Sequence, residues 1–311
     1  MKKKMDRRKF IKSGSLLGTA ALVGGPFAGK LLSNSGNVNF KITSVKSSSR
    51  FNSTVKVVEL LGGMKKFIQN KGKVGLLINA PAWWRNPGSF VHPDIVLATV
   101  KMCLEAGADE IIYLINPPRN YYNRTDLKKK YSKEISEIRK CSGKFVKTNI
   151  PKGKSLKKGE IIKELFECDS FINIPILKHH TGVHISSSIK NMMGLNSSPS
   201  NQFFHDGSGA KEGYDDIKFL SQCVADLNTL RKPDLCIMDA TVFLKTGGPA
   251  GPGRLKRVNR VVAGIDPVAV DSYCSGFLGH KPGSVEMIKV AHENGIGNMF
   301  FTKKDIKSVS L

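Results

Sequence analysis

From Val55 onward, short continuous apolar runs alternate with segments whose apolar residues recur at helical spacing. Lys73 to Asn79 (KVGLLIN) shows no in–out alternation, which predicts a strand buried on both faces. Pro93 to Ala106 predicts a helix closed by Gly107. His92 or Ser89 stands near its start, Pro93 in its first turn, and Asp94 where an acid favours the helix dipole. A second strand over Glu110 to Asn116 completes a β-α-β unit, whose strands must run parallel.

The alternation continues, with strands predicted at Ser170–Ile174, Leu235–Ala240 and Arg260–Gly264. Helices are predicted near 126–140, 160–167, 185–193, 215–230, 267–278 and 284–293. The fold class expected over residues 55–311 is a single α/β domain, layered, with a mainly parallel sheet and helices on both faces. In such a sheet ligands bind beyond the carboxyl ends of the strands. Those ends carry Asn79 before the Trp83-Trp84 loop, Asn116, Pro175 to His180, Asp239-Ala240-Thr241 and Asp266. If all the strands are parallel, these polar groups share one edge. Asp266-Pro267 reads as a helix start, with Asp266 as the cap.

The N-terminal pattern is different. Asp6-Arg7-Arg8-Lys9-Phe10-Ile11-Lys12 opens an apolar run, Ser13 to Gly29, that contains five glycines and Pro26. It is shorter than the ~20 residues of a membrane-spanning helix. Residues 1–29 read as a twin-arginine signal segment, which implies the twin-arginine translocase as a partner. The expected location is the periplasm or the outer face of the cytoplasmic membrane. No clean small-x-small cleavage site follows, so membrane contact is expected only through this segment, if it is uncleaved. Residues 30–54, rich in Ser and Asn, are expected to be a linker.

A formal charge of +24 invites a nucleic-acid reading, but its distribution argues against one. Residues 1–60 hold 12 Lys/Arg against 2 acids and residues 119–163 hold 15 against 4, leaving little elsewhere. Lys outnumbers Arg 38 to 11, and no aromatic residues interleave with the basic ones as a base-stacking surface requires. Nucleic acid is therefore not the expected partner. The six cysteines, at 103, 141, 168, 223, 236 and 274, lie at least thirteen positions apart. That spacing excludes a local four-Cys zinc or iron–sulfur motif.

The densest chemical constellation is Lys178-His179-His180-Thr181-Gly182-Val183-His184, followed by Lys190 and Asn191. Imidazoles there can trade protons or hold a metal ion, and Lys178 can clamp a phosphate or carboxylate. Adjacent His179 and His180 point differently in any regular element, so they do not share one ion. The candidate metal ligands are His179 and His205. Gly247-Gly248-Pro249-Ala250-Gly251-Pro252-Gly253 follows the Asp239 strand, and the amides of Gly248 and Gly251 are candidates to approach an anion. The candidate catalytic set is Lys178, His179, His180 and Asp239, with Asn79, Lys190, Asn191, Gly248 and Gly251 as ligand contacts. Lys178, His179 and His180 are expected to meet His205, Asn79 and Asp239 in one cleft, where Asp239 orients a histidine. No GxSxG, HExxH, EF-hand or P-loop pattern is present.

Several spaced motifs in a fixed order carry a resemblance: ELLGGMKKFIQNKGKV, the His92-Pro93 pair, FINIPILKHH, SIKNMMG, Phe204-His205, Ala225-Asp226-Leu227, IMDA, GGPAGPG and GIDPVAVD. Between about Val57 and Gly297 the chain resembles the domain-of-unknown-function 362 family, in its twin-arginine-exported form. The resemblance implies no settled activity; many relatives carry ferredoxin-like cysteine motifs that are missing here. Leu77-Ile78-Asn79 stands where the family often has Lys-Pro-Asn. Two functions follow as expectations. One is an enzyme using His/Lys acid–base or metal chemistry on a small anionic substrate. The other is a non-catalytic extracytoplasmic binding protein for an anionic ligand or a redox partner.

Overall fold

The computed structural model describes residues 40–81, 86–209 and 216–311. The signal segment and the Trp83-Trp84 loop lie outside the described residues. In chain order the elements are β1 (Ile42–Lys46), α1 (Arg50–Leu60), β2 (Lys73–Ile78), α2 (Pro93–Glu105), β3 (Glu110–Tyr113), α3 (Ser132–Ser136) and β4 (Ile138–Arg139). Next come β5 (Phe145–Asn149), β6 (Lys158–Ile162), β7 (Ser170–Ile174), β8 (Lys178–His180), β9 (His184–Ser186), α4 (Ser188–Asn191), α5 (Ser198–Asp206) and α6 (Ile217–Asn228). The chain closes with β10 (Leu235–Leu244), β11 (Leu255–Gly264), α7 (Pro267–Leu278), α8 (Glu286–Glu293) and β12 (Ile306–Ser310).

Eight strands form one sheet in the order β12-β1-β11-β10-β7-β2-β3-β4. The pairings from β10 to β4 are all parallel, as is β1 with β12, whereas β11 runs antiparallel to both β10 and β1. The β-α-β unit at 73–113 is as the pattern predicts. Two apolar cores confirm that helices cover both faces. Leu76 and Ile78 of β2 join Val57 of α1 and Ile95 of α2, while the intervening Leu77 joins Leu220 of α6 and Ile288 of α8. The period-2 alternation of a strand thus survives in a run that is apolar at every position.

Several expectations are corrected. Residues 42–54 are not part of a linker, because Ile42–Lys46 is an interior strand of the sheet and α1 begins at Arg50. Its Thr43 donates to the Val57 carbonyl at 2.9 Å, Ser44 accepts from Arg260 at 3.0 Å, and Ser49 caps α1. Ser and Thr that look like linker composition are here hydrogen-bonded strand and cap residues. The helix expected at 160–167 is β6, paired with β5, followed by one 3₁₀ turn. The region 126–140 likewise holds only short turns, the five-residue α3 and β4. Finally, Asp266 caps α7 as expected, accepting from Val268 and Ala269 at 2.9 and 3.0 Å. Because β11 is antiparallel to its neighbours, however, Asp266 sits on the opposite sheet edge from Asn79 and Asp239.

The parallel core strands do share an edge. Ile78 pairs with Ile174, and Ile176 bridges to Asp239, so the ends of β2, β7 and β10 lie side by side. The hairpin β8–β9 grows from this edge, with Lys178 opposite Ser186 and His180 opposite His184. It replaces the first part of the helix expected at 185–193. His184 takes a positive φ of 67° at the reversal, which a helical start does not allow. Among the described residues no helix is long and apolar enough to cross a membrane.

Candidate functional site

Side chains alternate along β8, so Lys178 and His180 face one way and His179 the other. Lys178 has no exposed surface. Its Nζ donates to Asn79 Oδ1 at 2.9 Å and to the Ser89 carbonyl oxygen. From Asn79 a single directed chain runs through the sheet edge. Asn79 Nδ2 donates to Asn191 Oδ1 at 2.7 Å, Asn191 Nδ2 to Asn173 Oδ1 at 2.7 Å, and Asn173 Nδ2 to the Ser188 carbonyl at 2.8 Å. Every amide is donor to the next, so each bond polarises its neighbour, and the amide orientations are fixed by the lysine at one end.

Burial lowers the proton affinity of Lys178 well below that of an ordinary lysine, and the nearby Lys190 charge lowers it further. His180 is pushed down to about 2, again chiefly by burial and then by Lys190, Lys178, His205 and His179. It is therefore a neutral imidazole at physiological pH. Its Nδ1 accepts from the Gly182 N–H at 3.0 Å, which leaves the ring hydrogen on Nε2. Four of the expected site residues, Lys178, His179, Lys190 and His205, thus act electrostatically on the fifth, His180.

His179 faces the glycine loop. Its Nδ1 accepts from the Gly248 N–H at 3.2 Å, and a Cβ on Gly248 would lie 1.8 Å from the His179 carbonyl oxygen. The Gly251 N–H donates to the Gly247 carbonyl at 3.0 Å. Both amides expected to approach an anion are therefore engaged by protein acceptors, and the loop acts as a buttress for His179. Asp239 is also corrected in role. Its Oδ2 accepts from the backbone N–H of His92 at 3.0 Å, and its Oδ1 from the N–H and hydroxyl of Thr241 at 2.9 and 2.7 Å. It orients the chain at the start of α2 rather than an imidazole.

Pattern reading missed Asp271, Asn173 and His280. Asp271, on α7, accepts from Ser187 Oγ at 2.6 Å, Ser188 N at 2.8 Å and Ile189 N at 2.9 Å, and so anchors the turn that presents Lys190 and Asn191. Burial raises it to about 6, with these hydrogen bonds opposing the shift. The one available signal was a polar residue in an otherwise apolar segment, as with Asn173 inside FINI. His280 follows the αL cap Gly279 and lies with its ring 5.8 Å from that of His184.

With this geometry in view, a match of the family model for a domain of unknown function (DUF362) to residues 74–276 is decisive. The chain belongs to the DUF362 family. A thylakoid-associated protein of Synechocystis sp. is 23% identical over 259 residues, covering 81% of this chain and 77% of its own. Among solved structures, the lactate racemase apoprotein from Thermoanaerobacterium thermosaccharolyticum is similar with a TM-score of 0.45 and 13% identity. That similarity covers 76% of this chain and 57% of the other. A Thermotoga maritima protein gives a TM-score of 0.35 and 13% identity, covering 62% and 51%. The chain thus spans little more than half the length of these two structures, and no ligand or activity passes from them to this DUF362 member.

Among the described residues the donor set shows no site for a metal ion or iron–sulfur cluster. Among the described residues no group of three or more His, Cys, Asp or Glu converges, so the expected His179–His205 pair finds no third ligand of these types. All six cysteines are free thiols, five of them buried.

Proposed function

We propose that this DUF362 member is an enzyme performing acid–base chemistry on a small anionic substrate at the carboxyl edge of the parallel strands. The observation that supports this most is the pairing of a fully buried lysine of lowered proton affinity with a neutral histidine on the same face of one hairpin. Lys178 takes the role of base, since a desolvated amine deprotonates nearer neutral pH. The His180 Nε2–H donates to negative charge developing on a substrate oxygen. Lys190 supplies the positive potential that draws the anion.

The complete burial of Lys178 favours a second reading, in which it only organises the asparagine chain of a non-catalytic anion-binding protein. Incubation with small carboxylates and phosphate esters in deuterated water, followed by ¹H NMR, separates the two. The enzyme is expected to exchange a carbon-bound hydrogen, and Lys178→Met to lose that exchange. The binding protein shows only a ligand-dependent rise in Tm. A panel producing neither effect sinks both readings.

The proposal includes export through the twin-arginine translocase to the periplasm or the outer face of the cytoplasmic membrane, supported by Arg7-Arg8 ahead of the apolar run. Changing both arginines to lysine is expected to hold folded protein in the cytoplasm, as read by cell fractionation. Undiminished export of the double variant would exclude the route.

A further inference from the structure

Phe90 and His92, Thr241 and Val242 of β10, Leu255 and Arg257 at the start of β11, and Arg50 at the start of α1 line an open cavity of about 420 Å³. Arg50, Arg124 and Arg257 line it together with Asp239, a formal excess of two positive charges. None of the three arginines forms an ion pair among the described residues. Arg50 Nε donates to Thr241 Oγ1 at 2.9 Å, and that hydroxyl in turn donates to Asp239. The Asp239 carboxylate is taken up by Thr241 and the His92 N–H. The Arg124 guanidinium carbon stands over the Phe90 ring, 3.9 Å from its centroid, and Nη1 is buried with no hydrogen-bond partner. Arg257 is exposed at the rim.

Gathering three guanidinium groups in one cavity is unfavourable unless a counter-anion joins them, and a buried N–H without an acceptor leaves its desolvation uncompensated. We infer that this cavity binds the phosphate group of a small phosphate monoester. A carboxylate offers two oxygens, which one arginine satisfies bidentately. A phosphate monoester offers three terminal oxygens and up to two negative charges, matching three planar donor forks and the excess charge. The volume exceeds that of phosphate alone, and Val242 and Leu255 add an apolar wall for an organic substituent. The site stands apart from the Lys178–His180 hairpin and does not depend on the catalytic proposal.

The test titrates the full chain with phenyl phosphate and with benzoate by calorimetry, and with phosphatidate vesicles by co-sedimentation. Phenyl phosphate is expected to saturate one site that benzoate does not fill. Arg124→Gln and the surface variant Arg257→Gln should each weaken it about tenfold, the loss of one hydrogen-bonded charge contact. Lys190→Ala should leave the affinity within about twofold, as that residue lies outside the cavity. Vesicle binding that depends on Arg257 supports the same site and names a lipid headgroup as the source of the phosphate. The inference is overturned if neither phosphate source binds, if both arginine variants bind as the wild type does, or if Lys190→Ala abolishes binding and the arginine variants do not.

Discussion

Replacing Asp271 with alanine is expected to destabilise the domain by about 3–5 kcal/mol, because three buried donors lose their shared acceptor. For a chain of this size that lowers Tm by about 10 °C, measurable by calorimetry. Asp271→Asn keeps one acceptor oxygen and should recover part of the loss. The carboxyl is raised to about 6 in the folded state, above its unfolded value. The folded protein therefore binds the extra proton between those two values, and stability gained from this group increases as pH falls from 7 toward 4. Asp271→Asn removes that gain. A variant that unfolds at the wild-type temperature would show that Ser187–Ile189 is held by other contacts.

Lys178→Met is expected to change the pH dependence of stability more than any other single replacement. The amine is lowered well below the ordinary lysine range by burial, so the unfolded chain binds a proton that the folded one releases. Stability then rises with pH between the lowered folded value and the unfolded value near 10.4, by about 1.4 kcal/mol per unit for a fully shifted group. The methionine variant lacks this slope. Urea unfolding at pH 7, 8 and 9 should show the wild type gaining on the variant at each step. At neutral pH the variant loses the hydrogen bonds to Asn79 and Ser89 but avoids the cost of an amine that gives up its proton on folding, so its stability there should differ from wild type by less than the slope accumulates. Parallel pH profiles would mean that Lys178 is protonated alike in both states.

Local pattern determined much of this protein. Largely apolar runs at 73–79 and 170–174 specified buried parallel strands, Pro93 and Asp266-Pro267 marked helix starts, and the parallel core placed Asn79, Lys178 and Asp239 on one edge, as expected. The same reasoning located the Lys178–His180 cluster, whose members do influence one another. Other features needed the folded chain. Whether Arg260–Gly264 runs parallel or antiparallel depends on the length of the connection and on which strand it meets, and this decided the edge on which Asp266 lies. Ser/Thr-rich Ile42–Lys46 became an interior strand because β11 and β12 supplied partners more than two hundred residues away. Residue type named Asp239 and Gly248 as polar candidates, but their hydrogen-bond partners follow from which backbone N–H groups and side chains the tertiary structure brings within 3.2 Å. Asp271 gave only the signal of a lone acid on an apolar helix, which acquires its meaning from the three donors folded against it. Propensity and periodicity act between neighbours along the chain and are written in it directly. Burial, proton affinity and hydrogen-bond pairing depend on contacts between distant residues, and only the assembled fold sets them.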